Sequence, residues 1–169
     1  MIVLDANALV KLTVADPESD DDALRLQGML DRAAAGGIVV GIPAPAFAEF
    51  LVRADDATTD ILSAFERKSL LRVLPFDKRA AHECALLDRF ALSAGDKKGG
   101  ARAAWQKVKI DRQIIAIARV HGAQEIITND VDLTTLANRV GLKVSSISEL
   151  PIPDDGRQRG LDLTPKSEN

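Results

Sequence analysis

Four acidic side chains stand where chemistry is expected: Asp5, Glu49, Asp111 and Asp130. Asp5 ends the apolar run Ile2-Val3-Leu4, and Asp130 stands just beyond Ile126-Ile127-Thr128-Asn129. Glu49 lies among apolar neighbours in Pro43-Ala44-Pro45-Ala46-Phe47-Ala48, and Asp111 opens the most hydrophobic helical segment, Asp111 to Ala118. Each acid alone has a plain explanation. Asp5 and Asp130 can close strands with Asx turns, Asp111 can complement the positive end of a helix, and Glu49 can be a solvated position. Projected together toward one strand edge, they repel one another, which requires raised pKa values or a cation between them. Oxygen-only ligands without histidine or cysteine suit Mg²⁺ or Mn²⁺ rather than zinc. The chemistry such a site does best is phosphodiester hydrolysis by a metal-activated water.

Other chemistry is poorly supplied. The chain has no phosphate-binding G-x-x-x-x-G-K-[ST] loop, no G-x-G-x-x-G, no H-E-x-x-H and no G-x-S-x-G. His82 and His121 both fall in helical segments and read as surface or packing residues, as do Cys84 and Trp105. A phosphatase of the haloacid-dehalogenase kind also places an Asp after its first strand. It normally wants a second Asp two residues on, and this chain has Asn7. A binding module that cuts nothing is the rival from another class, and the presence of all four acids argues against it.

The elements that must position these residues follow from the hydrophobic pattern. Residues 2–4, 37–41, 70–74, 125–128 and 142–147 are short, continuous apolar runs, as expected of strands buried on both faces of a parallel sheet. Helical spacing marks 21–35 (with Ser19 as N-cap and Gly36-Gly37 as stop), 45–53, 59–68, 78–92, 109–121 and 133–140. The alternation predicts an α/β fold, a three-layer α/β/α sandwich with a mostly parallel central sheet. In such sheets the functional crevice lies at the carboxyl ends of the strands, where Asp5 and Asp130 fall.

Length and composition agree with one soluble domain. The 169 residues include 46% apolar and 28% charged side chains, with 25 acidic and 22 basic groups giving a net charge of −3. That balance excludes a disordered chain and a strongly basic nucleic-acid clamp. The longest uncharged stretch, 33–48, has 16 residues, short of the ~20 that span a membrane. One cysteine and an acidic start without a basic n-region predict a cytoplasmic protein with no signal peptide. The domain is expected over 1–150, with 151–169 as a polar, proline-containing tail. Segment 93–100 reads as a glycine- and lysine-rich loop. From it to the third acid run Lys97, Lys98, Arg102, Lys107, Lys109 and Arg112, with Asp111 the only acid among them. Such a run serves either as a solvated loop or as a contact to an RNA backbone.

In their order along the chain, Ile-Val-Leu-Asp5-Ala-Asn7, Pro43 with Ala48-Glu49-Phe50, Asp111-Arg-Gln-Ile-Ile-Ala-Ile-Ala, and Ile-Ile-Thr128-Asn-Asp130-Val-Asp132-Leu resemble a PIN domain from Met1 to about Leu150. The resemblance, to the kind of PIN domain found in VapC toxins, implies a Mg²⁺- or Mn²⁺-dependent ribonuclease, an endonuclease by preference. It carries the metal-binding and catalytic roles onto Asp5, Glu49, Asp111 and Asp130. Glu49 is read as either a ligand or the group that orients the attacking water. Asn7 and Thr128 match positions that brace the site, and Asp132 matches an outer ligand. Many members are toxins of bacterial toxin–antitoxin pairs, often dimeric, so RNA, an antitoxin protein and a second copy are the implied partners. This chain departs from the compact toxin pattern in its segment 94–109 and its C-terminal tail.

Overall fold

The computed structural model describes residues 1–14, 19–53 and 71–153. The helix expected over 59–68 and most of the tail lie outside the described residues.

Five strands, β1 (Ile2–Leu4), β2 (Val40–Pro43), β3 (Leu71–Leu74), β4 (Glu125–Ile127) and β5 (Lys143–Ser145), form one sheet in the order β3-β2-β1-β4-β5. Every pairing is parallel, with Val3 opposite Gly41 on one side and Ile126 on the other. The described helices are α1 (Ala6–Val14), α2 (Asp21–Ala35), α3 (Ala44–Leu51), α4 (Lys78–Ser93), α5 (Trp105–Val120) and α6 (Val131–Arg139), followed by a 3₁₀ turn at Ile147–Glu149.

Strand periodicity divides the core into two layers. Val3 and Ile126 point to one face and pack with Val108, Ile115 and Ile117 of α5 and Leu133 and Leu136 of α6. Their neighbours Leu4 and Ile127 point to the other, against Leu9 of α1 and Leu26, Met29 and Leu30 of α2. This is the expected three-layer α/β/α sandwich, and its sheet is parallel throughout. The fully buried side chains include Leu4, Leu9, Ile115, Ile117, Ile126 and Ile127, each removing apolar area worth about 1.5–3 kcal/mol. The chain moves outward from β1 through β2 to β3, then returns to β4 on β1's other side. The topological switch point, where open parallel sheets form their crevice, therefore lies at β1.

Several boundaries differ from the sequence reading. Helix α1 follows β1 at once and is an addition to the expected elements, although Val and Thr, weak helix formers, make up three of its nine residues. Asp20, not Ser19, caps α2, its Oδ1 accepting from the N–H groups of Asp22 (3.0 Å) and Ala23 (3.2 Å). The second strand starts at Val40 rather than Gly37 because residues 36–38 are spent closing α2. Gly36 N–H donates to Arg32 and Ile38 N–H to Ala33, across Gly37 at φ +63°. Helix α5 starts at Trp105, not 109. After β5 the chain crosses α2, where Gly28 leaves room for Pro153: a Cβ on Gly28 would stand 2.4 Å from the proline ring.

Candidate active site

Asp5 is the first residue after β1 and is 6% exposed. Its Oδ1 accepts from the Ala6 N–H (2.7 Å) at the start of α1, and its Oδ2 accepts from the Thr128 hydroxyl (2.8 Å) at the end of β4. The adjacent strands β1 and β4 thus deliver an acid and its hydroxyl partner side by side. The Thr128 oxygen in turn accepts from the Asp130 N–H (3.0 Å), which fixes the turn after β4. Asp130 caps α6, its Oδ1 accepting from the N–H groups of Asp132 (2.8 Å) and Leu133 (3.0 Å). The Asx turn expected of it is present, as the cap of α6, and it leaves Oδ2 facing the cleft.

Asp111 arrives from the other direction. Because α5 begins at Trp105, Asp111 sits in the second turn rather than opening the helix, so complementing the helix N-terminus does not account for it. It is 4% exposed. Its two oxygens accept from Lys107 Nζ at 3.1 and 2.9 Å, and the same ammonium reaches Asp130 Oδ2 at 2.7 Å. Glu49, on α3 after β2, stands exposed on the rim with Oε1 3.5 Å from Arg53. Asp5, Asn7, Glu49, Lys107, Asp111 and Asp130, with Ile110 and Ile114, line one cleft of about 280 Å³.

The electrostatics follow from burial and crowding. Burial lifts the Asp5 carboxyl above the usual range, opposed by the bonds from Thr128 and Ala6 and reinforced by the charges of Asp130 and Glu49. Burial pushes Asp111 to about 6 against the pull of Lys107, with Asp130 and Asp5 adding repulsion. Asp130 also feels burial, yet Lys107 and the α6 N–H groups outweigh it and hold its carboxyl low. For Lys107 desolvation is outweighed by the bonds to Asp130 and Asp111, and its ammonium titrates higher than usual.

The four acids therefore share one cleft and one another's fields. Among the described residues, however, no three acidic, histidine or cysteine side chains close around a point as a finished metal cage. Glu49 is directed to Arg53, and Lys107 lies between Asp111 and Asp130. The donor set fits a hard divalent cation: it is all oxygen, two of its carboxyls are buried and raised, and a positive charge already bridges two of them.

Three other expectations are placed differently. Arg112 is no surface cation. It is 3% exposed, its guanidinium bonded to Asp88 Oδ1 (2.6 Å) and the Lys97 carbonyl (2.7 Å) and lying 5.5 Å from the Trp105 ring, so it has no free face for a phosphate. Asp132 does not line the cleft, and its Oδ1 accepts the Arg102 N–H at 2.7 Å, which makes it a loop anchor. Lys107 belongs to the acidic cleft itself. The signal for it was its spacing of four from Asp111, one helical turn. Lys97, Lys98, Arg102 and Lys109 are exposed, Lys97 lying over the Trp105 ring at 4.2 Å and Lys98 donating to the Ala103 carbonyl at 2.8 Å.

A parallel sheet covered by helices on both faces, with an oxygen-only acidic cleft at its switch point, defines the class of this protein. The sequence pattern of the PIN domain matches residues 2–139, and the chain belongs to that family. No curated protein matches the chain in sequence. Among solved structures, it is similar to VapBC from Salmonella typhimurium bound to DNA, with 17% identity over 86% of this chain and 97% of that one and a TM-score of 0.57. It is also similar to VapBC2 from Rickettsia felis bound to a DNA fragment from their promoter (16%, 86% and 98%, TM-score 0.55). VapC20 of Mycobacterium tuberculosis, a sarcin-ricin loop cleaving toxin, is similar at 17% identity over 79% of this chain and 93% of that one, with a TM-score of 0.51. At these identities the likeness is one of fold. Among the described residues no helix is long and apolar enough to cross a membrane.

Proposed function

We propose that this chain is a Mg²⁺- or Mn²⁺-dependent endoribonuclease and the toxin of a toxin–antitoxin pair. In this reading it acts in the cytoplasm, residues 1–150 carry the activity, and its partners are RNA, an antitoxin protein and a second copy of the chain. The observation that carries the reading is the gathering of Asp5, Asp111 and Asp130 in one cleft at the switch point, with Glu49 and Asn7 at its mouth. Membership of the PIN family and the likeness of fold to VapC toxins support it.

Asp5, Asp111 and Asp130 are the residues that would hold the metal, with Glu49 as a further ligand or as the group that orients water. When bound, a divalent cation supplies charge against the scissile phosphate and lowers the pKa of a water. The chain's own contribution is preorganisation. Thr128 and the Ala6 N–H fix both oxygens of Asp5, and the α6 N–H groups fix Asp130. Of the four acids Glu49 is the exposed one, held among the described residues only by the 3.5 Å pair with Arg53, which suits a group that orients the attacking water. Asn7 offers an exposed amide at the entrance. Lys97, Lys98, Arg102 and Lys109 present charge to an RNA backbone, to which they would bind without reading sequence.

The test is incubation of the purified protein with a mixed RNA pool in Mn²⁺ and in EDTA, beside Asp5→Asn. Cleavage should require the metal and disappear in the variant, which keeps the shape and loses the charge. Near-wild-type cleavage by a folded, nuclease-free preparation of Asp5→Asn would overturn the assignment.

A further inference from the structure

Lys107 is placed against the preferences of its own helix. It lies in the first turn of α5, where the helix dipole disfavours a cation. Its acidic partner stands four residues C-terminal, the weaker orientation for an i,i+4 pair. What accounts for the ammonium is the cleft, where it contacts both oxygens of Asp111 and the one oxygen of Asp130 that the α6 cap leaves open. Those two acids come from different elements, a helix and the turn after β4, so the lysine spans the gap between them.

We propose that Lys107 is a built-in counter-ion, holding the place of the divalent cation and setting the metal concentration at which one binds. This rests on the metal-dependent reading above. A dication drawn to Asp111 and Asp130 needs the oxygens Lys107 holds, and two positive centres a few ångströms apart repel. Metal binding is then an exchange in which the lysine withdraws. The side chain is built for that: it is 43% exposed, on a flexible four-carbon stem. Arg112, five residues further along the same helix, is 4% exposed and pinned. In the metal-free protein the ammonium relieves the repulsion between Asp111 and Asp130, which keeps the cleft closed up and ordered without metal.

The experiment is calorimetric titration of Mn²⁺ into wild type, Lys107→Gln, Lys107→Arg and Lys109→Gln, with melting temperatures in EDTA and in Mn²⁺. Lys109→Gln removes the same charge from an exposed neighbouring position and controls for long-range electrostatics. Lys107→Gln should bind Mn²⁺ about tenfold more tightly, the size expected when two partly exposed ion pairs no longer have to be broken. Lys107→Arg and Lys109→Gln should stay near wild type. In EDTA Lys107→Gln should melt below wild type, and Mn²⁺ should raise its melting temperature by more. A readout that needs no variant is lysine acetylation of the wild type followed by mass spectrometry, in which Lys107 should label faster in Mn²⁺ than in EDTA. Lys107→Gln binding Mn²⁺ no more tightly than Lys109→Gln, or Lys107 labelling at the same rate with and without Mn²⁺, overturns the proposal. If Mn²⁺-dependent RNA cleavage survives that result, only the counter-ion role fails. A wild type that binds no Mn²⁺ removes the metal-dependent reading as well.

Discussion

Asp111 should make the metal-free protein less stable than it would be with a neutral side chain in the same place, and the penalty should depend on pH in a defined way. Its carboxyl titrates at about 6 in the folded protein, against 3.8 when unperturbed, and the leading cause is burial. A folded-state pKa raised above the unfolded one means the folded protein holds the proton more tightly. Below 3.8 the acid is neutral in both states and costs nothing. As pH rises from 3.8 to about 6 the unfolded state ionises first, so stability falls; above that the loss is constant. The difference between the two values corresponds to about 3 kcal/mol, and at about pH 4.5 only about 1 kcal/mol of it has developed. Asp111→Asn keeps the shape and removes the ionisation, so in EDTA it should be more stable than wild type. The gain should approach about 3 kcal/mol near pH 8, or about 6–12 °C in melting temperature for a chain of this size. Lys107 keeps Asp130 as a partner in the variant, so the exchange leaves no orphaned cation. Urea titrations of both proteins in EDTA at about pH 4.5 and 8, repeated with Mn²⁺, measure it. Metal should stabilise wild type and do little for Asp111→Asn, because a ligand specific to the native state stabilises only what it binds. A variant less stable than wild type at pH 8 in EDTA, or a gap that does not widen between the two pH values, refutes the reasoning.

Two further substitutions probe what holds the cleft in place. Thr128→Val is nearly isosteric but removes the hydroxyl that serves Asp5 and the Asp130 N–H; we expect a loss of about 2 kcal/mol by urea denaturation, together with loss of cleavage, and Thr128→Ser should recover both. Arg112→Met strands Asp88 and the Lys97 carbonyl; because Asp88 is one-third exposed, the cost should be about 2–3 kcal/mol, below that of a fully buried broken pair, and an unchanged urea midpoint would show that the guanidinium is not structural.

What the sequence made legible depended on where each residue stands relative to a strand end. Asp5 and Asp130 were readable because a short apolar run ending in an acid marks the carboxyl edge of a parallel sheet without knowledge of anything else. The three-layer architecture followed from the same runs. Helix α1 escaped because its nine residues carry apolar side chains on several sides and include Val and Thr, so neither period nor propensity announced it. The start of α5 escaped for another reason: Ala104, its N-cap, offers no side-chain bond and the first turn holds no acid, so the usual start signals are missing. That single omission misplaced two residues. With the helix begun at 109, Asp111 sat at its opening and Lys107 in a loop; with the helix begun at Trp105, both lie on one face a turn apart, in the cleft.

The missing cap also explains the glycine- and lysine-rich segment before α5, which composition alone reads as a solvated loop. It is tied at close intervals. Asp96 Oδ1 accepts the Gly99 N–H (2.9 Å) while its Oδ2 pairs with Arg139 of α6 (3.0 Å). Lys97 gives its carbonyl to buried Arg112, and Arg102 gives its N–H to Asp132 in the first turn of α6. Gly99 is buried at φ +66° beneath Leu136, where a Cβ would stand 2.8 Å from the leucine methyl, so only glycine meets both the backbone and the packing requirement. A helix without a capping side chain must have its first turn positioned by what precedes it, and here that is a strut running from α4 across α6. The strut sets where α5 begins, and hence where Lys107 and Asp111 meet Asp130. Its glycines and charged residues are explained by that duty before any contact with RNA is invoked. Only the cations left over from it, on the outer side, remain available to a nucleic-acid backbone.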